Sequence, residues 1–71
     1  MAQHDYVISN SDGLTVRNDI NDALAAIQSN NDGTTAPTAT TANMFWADTT
    51  ANQLKIRNLA DSAWNNLHAL T

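Results

Sequence analysis

The sequence predicts an α+β fold in one small domain: a short N-terminal strand or arm, an amphipathic helix, an extended linker and a three-stranded β-meander. Apolar residues recur at helical spacing between Val16 and Ile27, and at alternate positions between Met44 and Trp64. The chain has 71 residues and no cysteine, so it is one domain at most and has no disulfide to stabilise it. The predicted boundaries are an arm at 1–13, a helix at 14–30, a linker at 31–43 and a meander at 44–71.

The arm contains the β-prone run Tyr6-Val7-Ile8, which is followed by the turn-forming residues 10–13. A run this short is not stable alone. We therefore expect it to dock on another element or on a neighbouring subunit.

The helix is predicted from an apolar stripe, with Thr15 as its expected N-cap and residues 29–33 as its stop. Two interpretations of the stripe remain open. Four of its residues follow the spacing of a two-heptad seam between chains, where isoleucine at core positions favours more than two strands. Alternatively, the helix lies on the sheet of its own chain. The predicted seam residues are Val16, Ile20, Ala23, Leu24 and Ile27.

The linker contains mostly threonine and alanine with a single proline, Pro37, and has no periodicity. We expect an extended connection over residues 34–43. Ten extended residues span up to about 33–36 Å, which is enough to reach the next subunit.

The meander is predicted from two runs with period-two alternation, separated by a polar turn at 48–52 and followed by a second turn at 58–62. The segment Ala63-Trp64 then forms the third strand. We expect the large apolar side chains of all three strands to face one core. The predicted core and assembly residues are Trp46, Trp64, Leu54, Ile56 and Met44.

The meander also resembles a known class of protein. The run Trp-Ala-Asp-Thr-Thr at 46–50, Leu-Lys-Ile-Arg-Asn at 54–58 and Ala-Trp at 63–64 resemble a segment common in tail fibres and other appendage proteins of tailed bacteriophages. Residues 16–27, with Asn-Asp-Gly at 31–33 and Ala-Pro at 36–37, resemble the helix and linker that precede it. The resemblance implies a trimeric virion structural protein, with this segment at the end nearest the particle.

Size independently favours self-association, because a single core in a chain this short seldom supplies more than about 3–5 kcal/mol. With no disulfide possible, partner subunits are the remaining source of stability, and the resemblance to fibre proteins implies that they form a homotrimer. The net charge is −4, and three basic residues do not form the patch that nucleic acid requires. No apolar run is long enough to span a membrane, and the N-terminus lacks the features of a signal peptide. We expect a soluble protein that binds neither nucleic acid nor membrane.

Catalytic and metal-binding functions have little support in the sequence. His4, beside Asp5, and His68 lie near opposite ends of the chain, where a set of three or more ligands is not held in place. Asp19, Asn21 and Asp22 lack the glycine and distal glutamate of a calcium loop. We therefore expect no enzyme activity, no cofactor and no metal.

The leading functional hypothesis is a structural component of a phage virion: a trimeric adaptor or tail-fibre N-terminal segment that attaches an appendage to the particle. Its expected partners are other copies of itself and further virion proteins of the tail, baseplate or capsid. It would be made in the host bacterial cytoplasm and reside in the virion, in the tail or an appendage. Two alternatives are a head-decorating or cement protein, and a glycan-binding receptor module in which Trp46 or Trp64 stacks on sugars.

Overall fold

A computed structural model describes residues 3–71 and contains one helix followed by three strands. The helix α1 spans Gly13–Gln28, and the strands are β1 (Phe45–Asp48), β2 (Gln53–Arg57) and β3 (Trp64–Ala69). The strands form an antiparallel sheet in the order β1-β2-β3. The α+β prediction with a three-stranded meander is therefore confirmed. The molecule is elongated, with extents of 39 × 27 × 15 Å.

The helix begins slightly earlier than the sequence suggested. Asp12, rather than Thr15, is the N-cap, and its Oδ1 accepts a hydrogen bond from the Thr15 amide at 2.8 Å. A carboxylate in this position both satisfies a free helix amide and interacts favourably with the helix dipole. At the other end, Asn30 and Asn31 adopt left-handed backbone conformations with φ of 56° and 58°. The Asn31 amide bonds back to the Ala26 carbonyl at 2.7 Å, which ends the helix.

The segment after the helix runs along the outer edge of β1. The Ala47 amide donates to the Asn30 carbonyl at 2.9 Å, and the Gly33 amide donates to the Ala47 carbonyl at 3.2 Å. The Thr49 amide donates to the Gly33 carbonyl, also at 3.2 Å. These bonds occupy the free edge of the first strand and join the helix to the sheet.

The strand register corrects the expectation that all large side chains of the meander share one core. Trp46 lies opposite Lys55, and Arg57 lies opposite Trp64, so these four residues share one face, since directly paired residues point to the same side of a sheet. Leu54 and Ile56 point to the opposite face. The turn between β1 and β2 sets this register, and a shift of one residue exchanges the two faces.

The helix does not lie on the sheet. No Cα atom of α1 comes within 8 Å of a strand Cα atom, so the second interpretation of its apolar stripe does not hold for the single chain. The predicted run Tyr6-Val7-Ile8 is not part of a strand either. Both elements are therefore left with surfaces that the sheet does not cover.

Candidate assembly surfaces

One face of the sheet carries two tryptophans packed with two basic residues, which we call the Trp–cation row. The rings of Trp46 and Trp64 meet edge to face, with centroids 5.4 Å apart. Lys55 Nζ lies 4.8 Å from the Trp46 ring centroid, and Arg57 Cζ lies 5.2 Å from that of Trp64. Each cation is thus attracted to the electron-rich face of an indole, and the row unites all three strands.

Each cation of the row is also paired with a carboxylate. Lys55 Nζ lies 2.9 Å from Asp48 Oδ2, and Arg57 Nε lies 2.7 Å from Asp61 Oδ1. The hydrogen bond from Lys55, followed by that from the Ala51 amide, lowers the pKa of Asp48. The hydrogen bond from Arg57 similarly lowers the pKa of Asp61. These carboxylates neutralise the row and hold the two turns of the meander.

Trp46 is enclosed rather than displayed. The residue is only 7% exposed to solvent, and its Nε1 donates a hydrogen bond to the Gly33 carbonyl at 3.2 Å. Trp64 is half-buried beside it. This geometry is that of a small core, since a platform for stacking sugars needs an accessible indole face.

The opposite face of the sheet is largely uncovered. Phe45 is 41% exposed, while Leu54 and Ile56 are half-buried. Phe45 also lines an open cleft of about 490 Å³, together with Ile27 at the end of the helix and Met44. The cleft therefore joins this face of the sheet to the helix.

The predicted seam residues of α1 fall into two groups. Val16 and Ala23 are half-buried against the rest of the chain. Ile20, Leu24 and Ile27 are 43%, 57% and 60% exposed, and their spacing places them side by side on one helix face. We call these three residues the helix stripe. Ile27 also lines the cleft, so the helix stripe and the cleft together form one extended apolar surface.

The arm is fixed to the helix by a histidine and a tyrosine. His4 Nε2 lies 2.5 Å from Asp19 Oδ1, and the Tyr6 amide donates to His4 Nδ1 at 2.7 Å. Because Nδ1 accepts the hydrogen bond from the Tyr6 amide, Nε2 carries the hydrogen that bonds to Asp19. This bond lowers the pKa of Asp19. The Tyr6 hydroxyl donates to Asn31 Oδ1, so the arm is anchored both at the helix and at residues 30–33, the connector that runs along β1.

Asn31 is an organising residue that the sequence patterns did not single out. It is 6% exposed, its Nδ2 donates to the Phe45 carbonyl at 2.9 Å, and its side-chain oxygen accepts from Tyr6. It therefore links the arm, the helix end and β1. The only sequence signal was the Asn-Asn-Asp-Gly cluster, because asparagine tolerates left-handed conformations and bonds to nearby backbone.

The residues considered for metal binding are engaged elsewhere or dispersed. His4 pairs with Asp19, whereas His68 lies on β3 with its Nδ1 2.7 Å from the Ala69 carbonyl oxygen. Between residues 3 and 71, no three potential metal-ligating side chains converge. In the same range, no helix has the length and apolarity needed to cross a membrane.

No protein-family model, no curated protein and no solved structure matches the sequence or the fold of this chain.

Proposed function

We propose that this chain is a structural component of a tailed-phage virion, a homotrimeric adaptor or tail-fibre N-terminal segment that attaches an appendage to the particle. The phage assignment rests on the resemblance of residues 46–64 and of the preceding helix and linker. The observation that carries the assembly part of the proposal is the extended apolar surface formed by the helix stripe and the cleft.

A single copy buries little apolar surface. Among the described residues, the buried apolar residues are Ala26, Pro37, Trp46 and Ala47, and no large side chain is fully enclosed. Domains of this size gain stability from disulfides, metals or partner subunits, and the chain has no cysteine. Burial of the helix stripe between copies supplies the missing apolar contact.

A trimer fits the chemistry of the stripe better than a dimer. Isoleucine occupies two of its three positions, and isoleucine at helix seam positions favours assemblies of more than two helices. Trimeric symmetry is also what the resemblance to fibre proteins implies.

The arrangement of polar groups supports a structural role. The basic residues of the meander are neutralised within the chain by Asp48 and Asp61, so they form no free positive patch for phosphate. Trp46 is buried and its indole donates to the Gly33 carbonyl, which favours a core role over glycan recognition.

Two measurements test the proposal. Light scattering coupled to size exclusion gives the mass in solution, and three times the chain mass of 7.7 kDa is expected, independent of dilution over the working range. A folded monomer would contradict the proposal.

Antibody labelling of purified particles, viewed by electron microscopy, then locates the protein. Label at the tail or an appendage supports the adaptor role. Label over the capsid supports a head-decorating protein instead, and absence from purified particles refutes a virion role altogether.

A further inference from the structure

Residues 7–10 form neither helix nor strand in their own chain, and the backbone bends at Asn10. Val7 is 64% exposed and Ile8 is 40% exposed, and no residue from Val7 to Asp12 has a positive φ. The segment is held in place at both ends, by the contacts of His4 and Tyr6 on one side and by the Asp12 cap on the other. It is therefore ordered and displayed, although it pairs with no strand of its own chain.

Every second backbone amide of this segment is hydrogen-bonded. The Val7 amide donates to Asp5 Oδ1 at 2.9 Å, and the Ser9 amide donates to Asp19 Oδ2 at 3.3 Å. The Ile8 and Asn10 amides have no partner among residues 3–71. When such a segment is extended, amides two residues apart point the same way. One edge of the segment is thus satisfied by carboxylates, and the other edge is open.

The sheet has a matching open edge. The outer side of β1 is occupied by the connector through Asn30 and Gly33, whereas β3 is the terminal strand of the described sheet and has no neighbour beyond it. Five of its six residues are exposed. It contains no proline, lysine or carboxylate, which are among the devices that protect an edge strand from pairing; the register irregularity of its pairing with β2 lies on the other side, at Leu54 and Lys55.

Symmetry decides which segment reaches this edge. Direct β3 to β3 pairing is isologous and produces a two-fold dimer, whereas a three-fold ring needs two different surfaces. Continuation of the sheet from β3 to a neighbour's β1 is blocked because the connector covers β1. Of the open segments that remain, residues 7–10 carry the β-prone side chains Val7 and Ile8, whereas the linker contains Pro37, which cannot donate to a sheet.

Electrostatics permit this contact. Each chain carries a net charge of −4, yet residues 6–11 and 62–71 contain no acidic side chain. Two negatively charged copies can therefore meet through these segments without opposed carboxylates at the contact.

We infer that Val7–Asn10 of one copy adds as a fourth strand to the open edge of β3 in the next copy, and that this exchange closes the trimer around its axis. The inference rests on the proposed homotrimer and names the backbone contact that joins its subunits. Strand addition of this kind gains affinity from main-chain hydrogen bonds, and the anchored arm reduces the entropic cost of ordering.

Disulfide trapping tests the inference, because the natural chain has no cysteine. Val7→Cys is combined in turn with Asn65→Cys, Asn66→Cys, Leu67→Cys and His68→Cys, which covers the four consecutive central positions of β3. After mild oxidation, at least one pair should give a covalent trimer on a denaturing gel, and reductant should return it to single chains. Each single-cysteine variant is the matched control, and circular dichroism checks that every variant is folded.

The outcomes separate this inference from the proposed function. A trimeric wild-type mass with no covalent trimer in any folded pair refutes the strand exchange and leaves the trimer intact. A covalent dimer from Asn66→Cys alone shows β3 to β3 pairing, and an intrachain disulfide shows pairing with the chain's own edge; either overturns the inference. A monomeric wild-type protein refutes both proposals.

Discussion

Replacement of Trp46 by alanine should unfold the protein or leave it close to its unfolding midpoint at room temperature. Trp46 is the one large apolar residue in the described chain that is buried, at 7% exposure. The substitution removes its contact with Trp64, the cation–π contact with Lys55 and the hydrogen bond to Gly33. It therefore removes the centre of the Trp–cation row.

The expected loss follows from burial. Truncation of a buried large aromatic to alanine costs about 3–5 kcal/mol. The lost packing against Trp64 is already part of this figure and is not added to it. Since a single core in a chain of this length supplies roughly 3–5 kcal/mol, the substitution consumes most of the available stability. Trp46→Phe keeps an aromatic ring but removes one of the two hydrogen bonds that the Gly33 carbonyl accepts, since the Thr49 amide still donates to it, and this loss costs about 0.5–1.5 kcal/mol.

Phe45→Ala is the matched control, since Phe45 is the adjacent residue, points to the opposite face and is 41% exposed. Because much of its ring is already in water, its loss should be about half that of Trp46. Urea unfolding followed by circular dichroism gives the three free energies, at one fixed chain concentration because subunit association contributes to stability. If Phe45→Ala proves more damaging than Trp46→Ala, the assignment of the two sheet faces is wrong.

Three further predictions concern the helix, the connector and pH. Ile20→Asp should dissociate the trimer, because it places a carboxylate in the helix stripe. Asn18→Asp, which adds the same charge on the other side of the helix, should leave the mass measured by light scattering unchanged. If the two variants have equal effects on the mass, the helix stripe is not part of the interface. Asn31→Ala should destabilise the folded chain by about 2 kcal/mol or more, since it loses buried hydrogen bonds and an alanine at the φ of 58° is strained. Asn31→Gly loses the same hydrogen bonds but not the backbone strain, so it should be less destabilising. Equal melting temperatures for the two variants would exclude a contribution from strain. The pKa values of Asp19, Asp48 and Asp61 are lowered in the folded chain, so the stability that these carboxylates contribute is complete above the ordinary carboxyl pKa of about 3.9 and is lost as pH falls below it. In Asp48→Asn, the melting temperature should therefore fall less steeply with decreasing pH than in the wild type. A wild-type melting temperature that stays constant down to about pH 2 would contradict the ion-pair assignments.

The sequence alone was sufficient for the element types. The spacing of apolar residues between Val16 and Ile27 determined a helix, and the alternation from Met44 to Arg57 determined two strands, because each secondary structure has its own side-chain period. The polar clusters at 48–52 and 58–62 supplied the turns. These are local properties, so they can be predicted without knowing what each element contacts.

Tertiary structure decided which faces meet. The period-two pattern is the same for either register, so it did not reveal that Trp46 and Trp64 pack with Lys55 and Arg57 while Leu54 and Ile56 face the other way. Nor did the helical stripe show that Ile20, Leu24 and Ile27 lie off the sheet and remain exposed. The first result depends on the register that the β1–β2 turn sets, and the second accompanies long-range contacts through Asn31 and Gly33. Local periodicity cannot specify them, because they join residues far apart in the chain through backbone carbonyls that every residue possesses.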